Sequence, residues 1–287
     1  MAKSDKYGIY DLRNEFPTDD ACLEYIFRVL HSERCSCGGR YKRLPERRQW
    51  QCSKCRYQIA PTAGTLFEKS ATPLTKWFHA LFVFSSAKSG LSGKQLEREL
   101  NVTYKTAWRM LKLIRASLPN KKHRLLGDVE MDETYFGGKG NAGKNNQDLG
   151  KVMDDKSVIL GAVERDGEIR AEVAPNAKAA TIGQFLHTNV ERVKTRLLTD
   201  ESNRYDLVAK RYHRQSVNHS QQEYVRDDVH TNTIEGFWSH VKRSISGTHK
   251  AVSRRYLQSY LDGFVWHYNN RHSDRDRFSA LLYGLLR

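Results

Sequence analysis

The sequence predicts an α/β chain whose second half folds as a mixed sheet, preceded by a small metal-stapled ribbon and a helical region. Three observations carry this. Four cysteines cluster between Cys35 and Cys55, and apolar residues recur at helical spacing from Leu74 to Leu118. From Gly127 onward, alternating β-like segments are interleaved with helices.

Composition narrows the classes first. With 287 residues, 39% hydrophobic and 10% aromatic, the chain can bury a core, which excludes a disordered tail. A bilayer-spanning helix needs about 20 apolar residues in a row. The best run, Trp77 to Phe84, is short and interrupted by His79. The first residues pass no apolar signal core before Asp11 and Arg13, which predicts a cytoplasmic protein, where clustered cysteines read as metal ligands rather than disulfides. Lys and Arg number 48 against 33 Asp and Glu, a net charge of +15, and such an excess on an intracellular chain points to a polyanion, nucleic acid first.

The elements follow in order. Pro17 to Leu30 reads as a helix capped by Thr18 or Asp19, with Leu23, Ile26, Phe27 and Leu30 on one stripe and Cys22 as a small buried side chain. Cys35, Cys37, Cys52 and Cys55 then form C-x-C, fourteen residues, C-x-x-C, two knuckles suited to a structural Zn²⁺ in a zinc ribbon. The short first knuckle leaves His31 as an alternative ligand to Cys35. Around them lie Arg34, Arg40, Lys42, Arg43, Arg47, Arg48, Lys54 and Arg56, interleaved with Tyr41, Trp50 and Tyr57, a pattern that favours DNA contact over a merely solvated surface.

Leu74, Trp77, Phe78, Leu81 and Phe82 give a helical face. Ser92 caps a helix through Leu100, Asn101-Val102 turns, and Thr103 caps a second helix with Ala107, Met110, Leu111 and Ile114 inside. Lys105, Arg109 and Lys112 line its outside, so the pair reads as a helix-turn-helix in preference to an ordinary hairpin. Strands are expected at Asp128–Tyr135, Ser157–Val163, Glu168–Val173 (after the Asp166-Gly167 turn) and Arg196–Thr199. Helices are expected at Ala179–Val190 and in HTNTIEGFWSHVKRS, with Lys139 to Asp155 as a mobile loop. The domain boundaries read as 1–33 helical segment, 34–60 zinc ribbon, 61–120 helix-turn-helix and 121–287 catalytic domain. The stripe Leu257, Tyr260, Leu261, Phe264 and Tyr268 reads as core.

Candidate chemistry centres on carboxylates at strand ends. Asp132 lies in the first strand of the sheet, Asp200 ends the fourth, and Glu235 sits on the covering helix, with Trp238, Ser239 and Lys242 at i+3, i+4 and i+7. Three such acids suit a pair of Mg²⁺ or Mn²⁺ ions and metal-assisted phosphoryl transfer. Glu130, Glu133, Glu201 and Asp206 compete from neighbouring positions, because 33 acids allow many triplets.

The order zinc ribbon, QIAPTAGTLFEKSATPLTKWFHALFVFSSAKSGLSGKQLERELNVTYKTAWRML, EMDETYFGGK, LLTDESNRY, VRDDVHTNTIEGFWSHVKRSISGTH and YLDGFVWHYNNR resembles the IS1595 (ISXO2-like) transposases of bacterial insertion sequences, from about Pro17 to beyond Arg271. The resemblance implies an RNase H-like catalytic domain of the DDE type. It places the three acids on Asp132, Asp200 and Glu235 and the family's lysine on Lys242; the C-x-C knuckle is the main departure from the family's pattern. It further implies an endonuclease and strand-transfer enzyme that holds two Mg²⁺ or Mn²⁺ ions and binds terminal inverted repeats and target DNA, with Lys242 on phosphate; Arg243 beside it is expected to add charge. Joining two ends requires at least a homodimer. Two other readings stay open: a zinc and helix-turn-helix regulator derived from a transposase, and a structure-specific nuclease of the same fold.

Overall fold

Helix caps and strand registers decide which residues face each other, and both are visible in a computed structural model that describes residues 6–118, 123–137, 156–206, 210–216, 228–271 and 274–286. The chain divides into two units: residues 1–119 with 270–287, and residues 120–269. The sequence predicts a last domain running to 287; the terminal helix Asp274–Leu286 groups with the first unit instead. Its Phe278 ring stacks on Tyr7 at 5.4 Å, and its buried Arg277 donates to the Ser85 carbonyl at 3.1 Å.

The first unit opens with α1 (Ile9–Glu15), which the sequence reading did not anticipate, and α2 (Asp19–Leu30). Thr18 caps α2 by accepting from the Ala21 N–H, and Cys22, Leu23, Ile26 and Phe27 are buried on its inner face. A three-stranded antiparallel ribbon follows: β1 (Tyr41–Leu44), β2 (Gln49–Cys52) and β3 (Gln58–Ile59). It docks on α2 through Trp50, whose ring stacks on Phe27 at 4.5 Å. Then come α3 (Leu74–Ser86), α4 (Gly93–Leu100) and α5 (Tyr104–Ala116). Ser92 and Thr103 cap α4 and α5, and Asn101 turns the chain between them in the left-handed region at φ 47°. Ala107, Met110, Leu111 and Ile114 are buried as their spacing requires.

The second unit is built on a sheet of β4 (Leu125–Phe136), β5 (Ser157–Glu164), β6 (Ile169–Ala174), β7 (Val190–Thr199) and β8 (His213–Ser216), in the spatial order β6-β5-β4-β7-β8. The β4–β5 and β5–β6 pairs are antiparallel; β4–β7 and β7–β8 are parallel, so the sheet is mixed as expected. β7 begins at Val190, earlier than the Arg196 start read from sequence, because its first half is charged and exposed. The short polar strand β8 carries no apolar alternation and was not anticipated.

Helix α6 (Ala179–Asn189) covers one face, with Ile182, Phe185 and Leu186 packed on Val129, Met131 and Leu197. Helices α7 (Asn232–Ser244) and α8 (Arg254–Asn269) cover the other, with Ile234, Trp238, Leu257, Leu261 and Phe264 packed on Ile159 and Val163. The expected loop Lys139 to Asp155 lies outside the described residues. Among the described residues, no helix is long and apolar enough to cross a membrane.

Candidate active site

Alternation along β4 sends Glu130, Asp132 and Thr134 to one face and Met131 and Glu133 to the other. The face that takes Asp132 is fixed by its neighbour. Asp132 stands opposite Gly161 in the β4–β5 register, and a Cβ on Gly161 would run into the Trp238 ring and meet Ile234. Asp132 therefore looks toward α7, the helix that carries Glu235. On the other side of β4, Glu130 pairs with Leu198 of β7, and two more steps along this parallel register bring Asp200 level with Asp132.

Each acid is held locally. Asp132 Oδ1 accepts from the Glu133 N–H at 2.8 Å, Asp200 Oδ1 from the Ser202 N–H at 3.0 Å, and Glu235 Oε1 from the Thr231 hydroxyl at 2.7 Å. Asp132 is pushed up to about 7, first by burial and then by the carboxylates of Glu133, Asp200 and Glu235; the influences acting on it most strongly include no cation. The three acids thus face one another closely enough to interact, yet their ligand atoms do not all come within 4.8 Å. Among the described residues only the four cysteines form such a group.

The residues around the acids explain why they meet here, and three of them, Glu130, Arg165 and Arg214, are anchors not expected from the sequence. Glu130, fully buried, accepts from the Thr233 and Ile234 N–H groups at 2.8 and 3.0 Å and so caps the N-terminus of α7 against the sheet. Arg165 pairs with it at 2.9 Å and donates to the carbonyls of Asp228 and His230 at 2.7 and 3.1 Å, tying the entry of α7 to the same carboxylate. Arg214 donates to the Asp200 carbonyl at 2.8 Å and to the Thr199 hydroxyl at 2.8 Å, fixing the end of β7. The competing acids find other work: Glu133 binds Arg204 and the Tyr205 hydroxyl on the α6 face, and Asp206 pairs with Arg214. A carboxylate two residues before a candidate ligand, in step with it on one strand, was the available signal for Glu130.

Along α7, Glu235, Ser239 and Lys242 are exposed, whereas Trp238, read from sequence onto the same face, is buried against Gly161. Its position at i+3 turns it toward the sheet. Arg243 is exposed beside Lys242.

The ISXO2-like transposase domain matches residues 124–269, the span that contains the sheet and all three acids. An uncharacterized protein in transposable element ISH50 of Halobacterium salinarum is 32% identical over 230 residues, 75% of this chain and 76% of that protein. The chain belongs to the ISXO2-like (IS1595) transposase family. It is also similar to a chain in the crystal structure of a pre-cleavage Mos1 transpososome (11% identity, 75% of this chain and 78% of that one, TM-score 0.28). A second likeness is to the Mos1 mariner paired end complex with Mn (12% identity, 75% and 85%, TM-score 0.27). Overlaps this loose fix no shared fold.

In this transposase-family chain the second candidate centre is the cysteine group. Cys35 and Cys55 sulfurs lie 3.6 Å apart and those of Cys37 and Cys52 3.4 Å apart, and all four fall within 4.8 Å of one another. The C-x-C knuckle closes because Gly38 turns at φ 80° and Gly39 lets Cys52 approach: a Cβ there would sit 2.5 Å from the Cys52 sulfur. The Tyr41 hydroxyl, donating to Cys35, holds that thiol down at about 6. His31 is not part of the group; its ring packs on Phe27.

Of the cations expected on DNA, Lys105, Arg109 and Lys112 are exposed on α5, and Lys112 lies over the Trp108 ring at 5.5 Å. Arg47 is exposed on the ribbon. Arg43 and Arg48 pair with Asp20 and Asp19 of α2 at 2.6 and 3.1 Å, so they also brace the ribbon on that helix.

Proposed function

We propose that this chain is a DDE-type DNA transposase that cleaves phosphodiesters at insertion-sequence ends and joins the freed 3′-hydroxyl to target DNA. Asp132, Asp200 and Glu235 hold its metal ions in an RNase H-like domain. The observation that carries the reading is the coupling of Asp132 to both other acids on one sheet face, with α7 capped onto that sheet by Glu130. The strand order, with the first three strands antiparallel and the next two parallel to the first, supports the RNase H-like assignment.

The donor set fits hard divalent cations. It offers carboxylate oxygens, and Asp132 feels the repulsion of Glu133, Asp200 and Glu235. When bound, a pair of Mg²⁺ or Mn²⁺ ions would supply activation of the attacking oxygen and neutralisation of the leaving one. The chain's own residues do the rest. Glu130 and Arg165 set the height of α7 over the sheet, Arg214 fixes the backbone at Asp200, and Lys242, sharing an exposed stripe with Glu235, holds the DNA end by phosphate contact, with Arg243 beside it.

The four thiolate donors fit one tetrahedral Zn²⁺, which makes β1–β3 a zinc ribbon. The ribbon and the α4–α5 helix-turn-helix read the terminal inverted repeats through Arg43, Arg47, Arg48, Lys105, Arg109 and Lys112, and two copies of the chain bring two ends together. Purified protein given element-end DNA and Mg²⁺ should nick it, and Asp132→Asn should abolish nicking while leaving end binding intact. Binding without nicking by the wild-type protein would overturn the enzymatic reading and leave a DNA-binding regulator.

A further inference from the structure

The face of the sheet turned away from Asp132 carries a cavity of about 700 Å³ beside α6. Three arginines that are distant in sequence converge on it: Arg124 just before β4, Arg192 near the start of β7 and Arg211 just before β8. All three are exposed, and among the described residues none of their guanidinium groups pairs with a carboxylate. The nearby Glu191 carboxylate accepts from the Arg192 backbone N–H at 3.2 Å.

His187 and Gln184, both exposed on α6, add further donors, and Tyr212 closes the floor with 9% of its surface exposed. One wall is the first turn of α6, where Ala179, Ala180 and Gly183 keep the helix surface low enough for a bulky chain to approach. Unpaired guanidiniums around a wide opening make sense against phosphodiester oxygens, which accept their paired N–H groups, and make none as a surface the fold needs for its own stability.

Location separates this contact from the cleavage site. The cavity sits at the N-terminal ends of β4, β7 and β8, whereas Asp132 and Asp200 lie toward the C-terminal ends of β4 and β7, on the opposite face. At ~3.3 Å per residue, the stretch from Arg192 to Asp200 alone covers about 26 Å. A phosphate in the cavity is therefore not the one being cut.

We propose that this arginine-lined cavity is a second DNA site, which grips the phosphate backbone of the target duplex while the carboxylate face holds the element end. The proposal rests on the strand-transfer reading, since only a reaction that joins two DNAs requires two such sites.

The test uses the full chain and a random-sequence duplex, with affinity followed against salt by fluorescence anisotropy. Changing Arg124, Arg192 and Arg211 together to Gln should lower the slope of log K against log[salt] by about 2 to 3 and weaken binding roughly tenfold or more. Changing the same three to Lys should restore most of the slope. Arg13, Arg28 and Lys69, which lie outside the cavity, serve as the charge control: their joint change to Gln should move the slope by less than about 1.

An unmoved slope in the cavity variant, an equal drop in the control, or no affinity of the wild-type chain for the duplex would overturn the site. If the wild-type protein cuts no end DNA yet the cavity variant loses its slope, the catalytic reading fails and the second site stands. If end DNA is cut and the slope is unmoved, the second site fails alone.

Discussion

Asp132 is a residue that folding does not favour in its charged form. Its carboxyl is pushed up to about 7 against an unfolded value of 3.8, so between about pH 4 and pH 7 the folded state holds the proton that the unfolded state has lost. This group's contribution to stability therefore falls as pH rises through that window, and the penalty persists above it. Asp132→Asn should stabilise the protein at pH 8 without added divalent cation, on the order of 2 kcal/mol, and leave stability near pH 4 unchanged; urea midpoints at the two pH values check this. Glu130 is fully buried, and its carboxylate accepts from the Thr233 and Ile234 N–H groups and from Arg165. Glu130→Gln strips the charge from the cap of α7 and leaves Arg165 without its buried partner, a loss of about 2–4 kcal/mol. Because Glu130 positions α7 without touching DNA, this variant should still cut at raised Mg²⁺ concentration, whereas Asp132→Asn should not. Equal, metal-independent loss in both variants would contradict the distinction.

Elements place these residues by close approach and by capping. β5 is buried on both faces along nearly its whole length, and Gly161 lets α7 lie down on it where Asp132 needs the helix nearby. Gly161→Ala forces a methyl group into the Trp238 ring, and the expected cost is about 1–3 kcal/mol with a loss of cleavage beyond what the stability change explains. The ribbon is a separate case: three short strands bury little core of their own, and four thiols, Cys52 at the end of β2 and Cys35, Cys37 and Cys55 in the flanking turns, lie within ligand reach of one another. The protein should carry one Zn²⁺ per chain by elemental analysis, and Cys52→Ser should lose it; a metal-free wild-type protein with the same melting curve would contradict the assignment.

Much of the second unit could be read from the chain because the signals there are local. Alternation in DVEMDETY, the Asp166-Gly167 turn and the apolar spacing of α7 and α8 all sit where strands, turn and helices form. α4 and α5 were equally plain, since Ser92 and Thr103 mark their starts and the buried side of α5 keeps strict i, i+3, i+4 spacing. What sequence could not supply were relations between distant residues. Nothing in HRQS announces a fifth strand, because its partners, not its side chains, make it one. Nothing near Phe278 says that its ring meets Tyr7 at the other end of the chain. The same holds in the site: Asp132, Asp200 and Glu235 were legible as candidates, while the caps that bring them to one face, Glu130 to α7 and Arg214 to Asp200, exist only through strand register.

At the scale of the whole molecule, the net charge of +15 favours contact with a polyanion. The proposal to test first is that residues 132, 200 and 235 share divalent cations. Electron paramagnetic resonance of bound Mn²⁺ tests it without any DNA or turnover. The account predicts saturable Mn²⁺ binding by the full chain that weakens in each of Asp132→Asn, Asp200→Asn and Glu235→Gln and is nearly lost when all three are combined. Mn²⁺ binding of unchanged affinity and stoichiometry in the triple variant would contradict it.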